Sequence, residues 1–197
     1  MTGHARREHG YALTMSTPTF QFDTAAAILI GGGSTRMGSP KQHVLVHGVP
    51  MGKRVIAIAQ DAGCHVVVSG PKDAMRGTPN ITDLPRHAGH GPLAGIEAVL
   101  ASGIAARWLI LPCDMPHLTT ASITRLLAAK ADIAAFADPT DQSSALHLPL
   151  VVSTTMLEPL SAYLESGRRS IGGWLAGHSI TLAEPLGQRE AENINSM

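Results

Sequence analysis

The chain has few aromatic residues, few cysteines and no surplus of charge. Only two Trp, two Tyr and three Phe occur in 197 residues, while 44% of the chain is hydrophobic. The core must therefore be filled mainly by Ala, Val, Leu and Ile, which fits an α/β protein large enough to bury a sizeable core. Cys64 and Cys113 are the two cysteines; they do not amount to a disulfide framework or a cysteine metal site, and they suit a reducing cytoplasm. Fifteen basic residues balance fifteen acidic ones, so nothing points to a surface-wide field for nucleic acid or to an electrostatic membrane anchor. No run approaches the roughly 20 apolar residues needed to cross a bilayer. Arg6-Arg7 raises a twin-arginine export reading, but EHGYALTMSTPTFQFD follows without an apolar stretch. Residues 1–23 are expected to be a disordered extension, with Met15 an alternative start, and 24–197 a single cytoplasmic domain.

The most informative stretch that is present runs from residue 25 to 41, AAAILIGGGSTRMGSPK. Ala25 to Ile30 has the length and apolar content of a buried strand, and three glycines then free the backbone to approach a polyanion closely. Their amide groups can donate to phosphate, and Arg36 and Lys41 add fixed positive charge. The same residues would also serve as a tight turn with two solvated cations. A P-loop is excluded, because Ser39 and Pro40 stand where Lys and Ser/Thr are required, and a GxGxxG fingerprint fails because Arg36 falls at its third glycine.

Downstream, strand and helix patterns alternate. Residues 50–62 read as a helix entered through Pro50, Cys64 to Val68 as a strand, Pro92 to Ser102 as a helix and Arg107 to Leu111 as a strand. Thr119 or Thr120 can cap a helix running to about Lys130. Asp132 to Phe136 and Leu146 to Val152 are strand-like, 154–176 helical with a break at Gly167, and Ser179 to Ala183 a last strand. The alternation predicts an α/β fold with a mostly parallel sheet, helices on both faces, and ligands at the carboxyl ends of the strands. Asp114 follows one such apolar strand, between Pro112 and Pro116, where it can hold a hard cation such as Mg²⁺ together with substrate phosphates or simply form an Asx turn.

Three segments in order carry a resemblance. Leu29-Ile30-Gly31-Gly32-Gly33-Ser34-Thr35-Arg36-Met37-Gly38-Ser39-Pro40-Lys41 resembles the LAGGxSxRMGxxK signature of nucleotidyltransferases with a GT-A-like Rossmann fold, with Ile30 in place of Ala. Gly91-Pro92-Leu93-Ala94-Gly95 and Pro112-Cys113-Asp114-Met115-Pro116 narrow it to the molybdenum cofactor guanylyltransferases, the MobA-like branch. The likeness covers roughly residues 24–196. It implies transfer of GMP from GTP to the terminal phosphate of molybdopterin or molybdenum-molybdopterin, with Mg²⁺ as cofactor and molybdoenzyme chaperones or other cofactor-biosynthesis proteins as partners.

The resemblance also implies site residues. Arg36, Lys41 and Asp114 would be catalytic. Leu29, Ile30, Gly31, Gly32, Gly33, Lys41, Ser69, Asp83, Gly91, Pro92, Leu93 and Asp114 would meet the nucleotide. In this reading Asp83 accepts from the two guanine donors, whereas in isolation it is equally a solvated loop carboxylate. His147, Arg168 and Arg169 would face the acceptor, although each also suits a structural or solvated role. Asn195, in Asn193-Ile194-Asn195-Ser196, would join Asp114 at the metal. The rivals are a cytidylyl- or sugar-phosphate nucleotidyltransferase, which shares the phosphate grip, and a non-catalytic nucleotide-binding module, which has no need for Arg36, Lys41 and Asp114 together.

Overall fold

Ala25, Ala26, Ala27 and Ile28 are all fully buried, and burial on both sides of one strand places that strand inside a sheet covered on two faces. The computed structural model describes residues 19–31 and 40–194. Its elements are β1 (Phe22–Leu29), β2 (Leu45–Val46), β3 (Val49–Pro50), α1 (Met51–Asp61), β4 (His65–Ser69), β5 (Asn80–Ile81), α2 (Pro92–Leu100), β6 (Ala105–Pro112), α3 (Thr120–Leu127), β7 (Ile133–Ala137), β8 (Ala145–Ser153), α4 (Leu157–Glu165), α5 (Ile171–Leu175) and β9 (Thr181–Ala183). Among the described residues the main sheet has seven strands in the order β5-β4-β1-β6-β8-β7-β9.

Every pairing in this sheet is parallel except those of β8, which runs against both β6 and β7. The link at 138–144 explains the reversal, because it is too short for the crossover that a parallel return requires. Asp138 and Asp141 tighten that link: their carboxylates accept from the backbone N–H of Thr140 at 2.7 Å and of Ser143 at 3.1 Å. The expected mostly parallel α/β sheet is thus the observed one.

The strand side chains alternate between two cores. Ala25, Ala27, Val67, Trp108 and Ile110 pack with α2, α4 and α5 on one face. On the other, Ala26, Ile28, Val68, Leu109 and Phe136 meet α1 and α3. Small alanines in β1 let helices approach the central strand from both sides.

Several boundaries differ from the sequence expectations. β1 begins at Phe22, whose backbone is registered with Ala105 and whose ring stacks on His65 at 4.3 Å, so the ordered domain reaches into the expected 1–23 extension. Residues 1–18 lie outside the described residues. Thr119 does cap α3, accepting from the Ser122 N–H at 3.2 Å, but the helix stops at Leu127 rather than Lys130. There the Arg107 guanidinium donates to the Ala129 carbonyl at 2.5 Å and turns the chain toward β7. The β2–β3 hairpin has no counterpart in the sequence reading. It turns at His47 and Gly48, both with positive φ, and this His-Gly pair is the signal that marks it.

Candidate active site

The carboxyl ends of β1, β4, β5 and β6 open along one edge of the sheet. A cavity of about 520 Å³ lies there. Leu29, Ile30 and Gly31 line it from the end of β1, Ser69 and Gly70 from the end of β4, and Asp83, Gly91 and Pro92 from the link between β5 and α2 and the start of α2. Seven residues expected to meet the nucleotide therefore line one cleft: Leu29, Ile30, Gly31, Ser69, Asp83, Gly91 and Pro92. Gly32, Gly33 and Arg36 lie outside the described residues.

Two glycines of the GPLAG segment serve this cleft in different ways. Gly91 precedes α2 with φ 79°, a conformation that side-chain-bearing residues rarely adopt, and so turns the chain into the helix. Gly95 sits one turn into α2 where a Cβ would stand 2.6 Å from Ser69 Oγ. The helix thus packs its backbone against the end of β4. Ser69 is buried there, and its Oγ has no hydrogen-bond partner among the described residues. An orphan hydroxyl on a cavity wall is a group waiting for a ligand acceptor or donor.

Leu93 requires a correction. It is fully buried in the core beneath α2, so its side chain packs the helix and does not reach the cavity. Residues that line the cavity without having been singled out include Gly70, Pro71, Thr82 and Gly89. Gly70-Pro71 is a turn signal directly after a strand and was the available clue. Gly89 donates its N–H to Asp83 Oδ2 at 2.9 Å, which fixes the carboxylate at the cavity wall.

Asp114 and Lys41 stand beside this cleft. Leu29 is registered with Pro112, so Gly31 and Asp114 each lie two residues past the ends of neighbouring strands. Lys41 Nζ donates to Asp114 Oδ2 at 3.3 Å, both side chains keeping about a fifth of their surface in solvent. Cys113, next in the chain, is no nucleophile: burial, with the Asp114 charge beside it, pushes its thiol up to about 11. The C-terminal segment returns to the same point, with the Ile194 N–H donating to the Asp114 carbonyl at 2.9 Å. Asn195 follows directly and lies outside the described residues.

The expected acceptor residues do not gather. His147 lines a second cavity of about 360 Å³ with His178 and Gly172. Arg168 and Arg169 do not line it. Arg168 stacks over the Tyr163 ring at 4.3 Å, and Arg169 donates to the Leu164 carbonyl at 2.6 Å. Arg169 therefore satisfies a carbonyl at the C-terminal end of α4, which is the ordinary use of a cation at that position.

Residues 26–180 match the family model described as the MobA-like NTP transferase domain. A molybdenum cofactor guanylyltransferase of Shewanella baltica is 31% identical over 179 residues, covering 87% of this chain and 90% of its own. Its counterpart in Xanthomonas euvesicatoria is 37% identical over 112 residues, covering 56% of this chain and 57% of its own. The crystal structure of molybdopterin-guanine dinucleotide biosynthesis protein A from Archaeoglobus fulgidus shares the fold with a TM-score of 0.66 at 20% identity, covering 81% of this chain and 83% of its own. The 2-C-methyl-D-erythritol 4-phosphate cytidylyltransferase of Thermus thermophilus shares it with a TM-score of 0.64 at 16% identity, over 85% and 91% of the two chains. Those two structures speak to the fold alone, whereas the family model takes in the cleft and the Asp114 loop and the Shewanella sequence matches most of the chain, and on that ground the chain belongs to the MobA-like NTP transferase family.

Proposed function

We propose that this chain transfers GMP from GTP to the terminal phosphate of molybdopterin, forming molybdopterin guanine dinucleotide and pyrophosphate. One observation carries the reading: a cleft walled by Asp83 on one side opens next to a Lys41–Asp114 pair at the neighbouring strand end. The first part suits a base with paired N–H donors, because a carboxylate accepts from two adjacent donors at once. The second suits a polyphosphate. Lys41 offers a cation to the charge that develops as pyrophosphate departs.

Mg²⁺ is the proposed cofactor. Asp114, a hard oxygen donor at a strand end, would hold it, and the ion would supply positive charge to the substrate phosphates. When bound, the ion neutralises phosphate charge. The acceptor phosphate is ionised at neutral pH, so attack on the α-phosphorus needs no general base, and the ten histidines of the chain have no proton to remove there. Both cysteines are free thiols, which supports a cytoplasmic location. No helix of the described residues is long and apolar enough to cross a membrane. Delivery of the product to a molybdoenzyme through a chaperone belongs to the same reading.

The test mixes the protein with Mg²⁺, molybdopterin and each nucleoside triphosphate in turn, and measures pyrophosphate release and the dinucleotide formed. GTP should be the preferred donor, and Asp83→Asn should weaken GTP more than ATP or CTP. A preference for CTP or UTP would overturn the guanylyl assignment.

A further inference from the structure

Behind the cavity lies a polar cluster with no part in the chemistry. Glu97, on α2, is fully buried. Its Oε1 accepts from Arg86 Nη2 at 2.7 Å, Arg86 Nε at 3.2 Å and Ser161 Oγ at 2.7 Å, and its Oε2 lies 2.7 Å from His87 Nδ1. An ionised carboxylate only accepts, so the proton of the last contact sits on Nδ1. Burial alone would raise the Glu97 carboxyl, but the hydrogen bonds from Ser161, His87 and Arg86 hold it below its ordinary range. His87 is buried with it, 5% exposed.

The partners of Glu97 come from informative places. Arg86 and His87 belong to the 3₁₀ turn Pro85–His87, midway along the link between β5 and α2. The other side of that link faces the cavity through Thr82, Asp83 and Gly89. The link is braced internally: the His87 N–H donates to the Leu84 carbonyl at 2.9 Å, His90 to the His87 carbonyl at 3.0 Å, and Gly89 to Asp83 Oδ2 at 2.9 Å. A displacement of Arg86 and His87 is therefore carried to Asp83. Ser161, from α4, donates to the same carboxylate oxygen as Arg86. Removing the carboxylate would leave the buried His87 Nδ1–H without its acceptor. What a buried, fully paired charge adds is a defined register for the segment that pairs with it.

We propose that Glu97 is a positioning residue for base selection: acting through His87 and Arg86, it holds the 82–91 segment where Asp83 and Gly89 meet a guanine base. The inference rests on the reading that the cavity takes the base of GTP. Glu97 touches neither nucleotide nor metal and sets selectivity from behind the wall.

Equilibrium titration of GTP and of CTP, with Mg²⁺, into the full chain tests it. Glu97→Gln keeps size and one acceptor but loses the negative charge that accepts from Arg86 and His87. Its GTP affinity should fall about tenfold while CTP affinity changes less than about twofold, since displaced donors and acceptors penalise only the base they were built for. A merely structural role would lower the melting temperature and the folded fraction but leave the GTP-to-CTP ratio of the folded protein unchanged, and that result overturns the proposal. Should Glu97→Gln fail to fold, Arg86→Gln serves instead, because the Arg86 side chain is 52% exposed and its loss leaves His87 in place; the same ratio should fall in the same direction. Asp83→Asn is the reference. If wild type prefers GTP and Asp83→Asn loses that preference while the Glu97 and Arg86 variants keep it, the positioning role alone is wrong. If wild type shows no preference for GTP, the reading beneath it fails as well.

Discussion

Lys41 and Asp114 are separated by 73 positions in sequence and meet at 3.3 Å, Nζ to Oδ2, beside the ends of two neighbouring strands. The pair holds opposite charges at the strand ends next to the cleft. Lys41 arrives on a 3₁₀ turn after the glycine loop, and Asp114 on the loop after β6, so neither residue finds the other until the parallel sheet has formed.

Lys41→Ala should lower turnover by about 10² to 10³ with a smaller effect on GTP affinity, because charge stabilisation matters most as pyrophosphate leaves. Initial rates of pyrophosphate release against GTP concentration separate the two effects. Unchanged turnover would remove Lys41 from the mechanism.

Asp114→Asn retains size and one acceptor but removes the charge that attracts a hard divalent ion. Metal-dependent transfer should be abolished while the circular dichroism melt stays close to wild type, since Asp114 is only half-buried and its carbonyl still receives the Ile194 N–H. Transfer at the original Mg²⁺ concentration by a normally folded variant would place the metal elsewhere.

Ser69→Ala should act with opposite signs on stability and on binding. Its Oγ is buried without a partner, so removing it should stabilise the nucleotide-free protein by about 1 kcal/mol. If that hydroxyl is kept for the nucleotide, the same change weakens GTP binding. Thermal melts with and without GTP measure both quantities, and a stabilised variant with undiminished nucleotide affinity would show that Ser69 is not a ligand.

The Glu97 carboxyl, lowered by its hydrogen bonds, stabilises the fold fully above its unfolded-state pKa, and that contribution is lost as pH falls through the folded-state value. From about pH 5 downward the wild type should therefore lose melting temperature more steeply than Glu97→Gln. The other carboxyls held low, at Asp138, Asp141 and Glu190, are common to both proteins and cancel in the difference. Parallel acid limbs in the two melting profiles would mean that Glu97 is not held below its ordinary range.

What the sequence determined by itself was local. The apolar run before the glycines made β1, Pro50 and Gly91-Pro92 opened α1 and α2, and Thr119 capped α3. Each of these depends on neighbours within a few positions, where side-chain volume, φ preference and capping act directly. The ligand edge was legible too, because a parallel sheet puts its strand-to-helix turns on one side. Tertiary structure alone decided the place of β8 between β6 and β7, the burial of Leu93 and the meeting of Glu97 with Arg86, His87 and Ser161. Leu93 and Pro92 are adjacent in GPLAG, yet one faces the core and the other the cleft, because a helix turns successive side chains by about 100° and only the packed sheet decides which direction is inward.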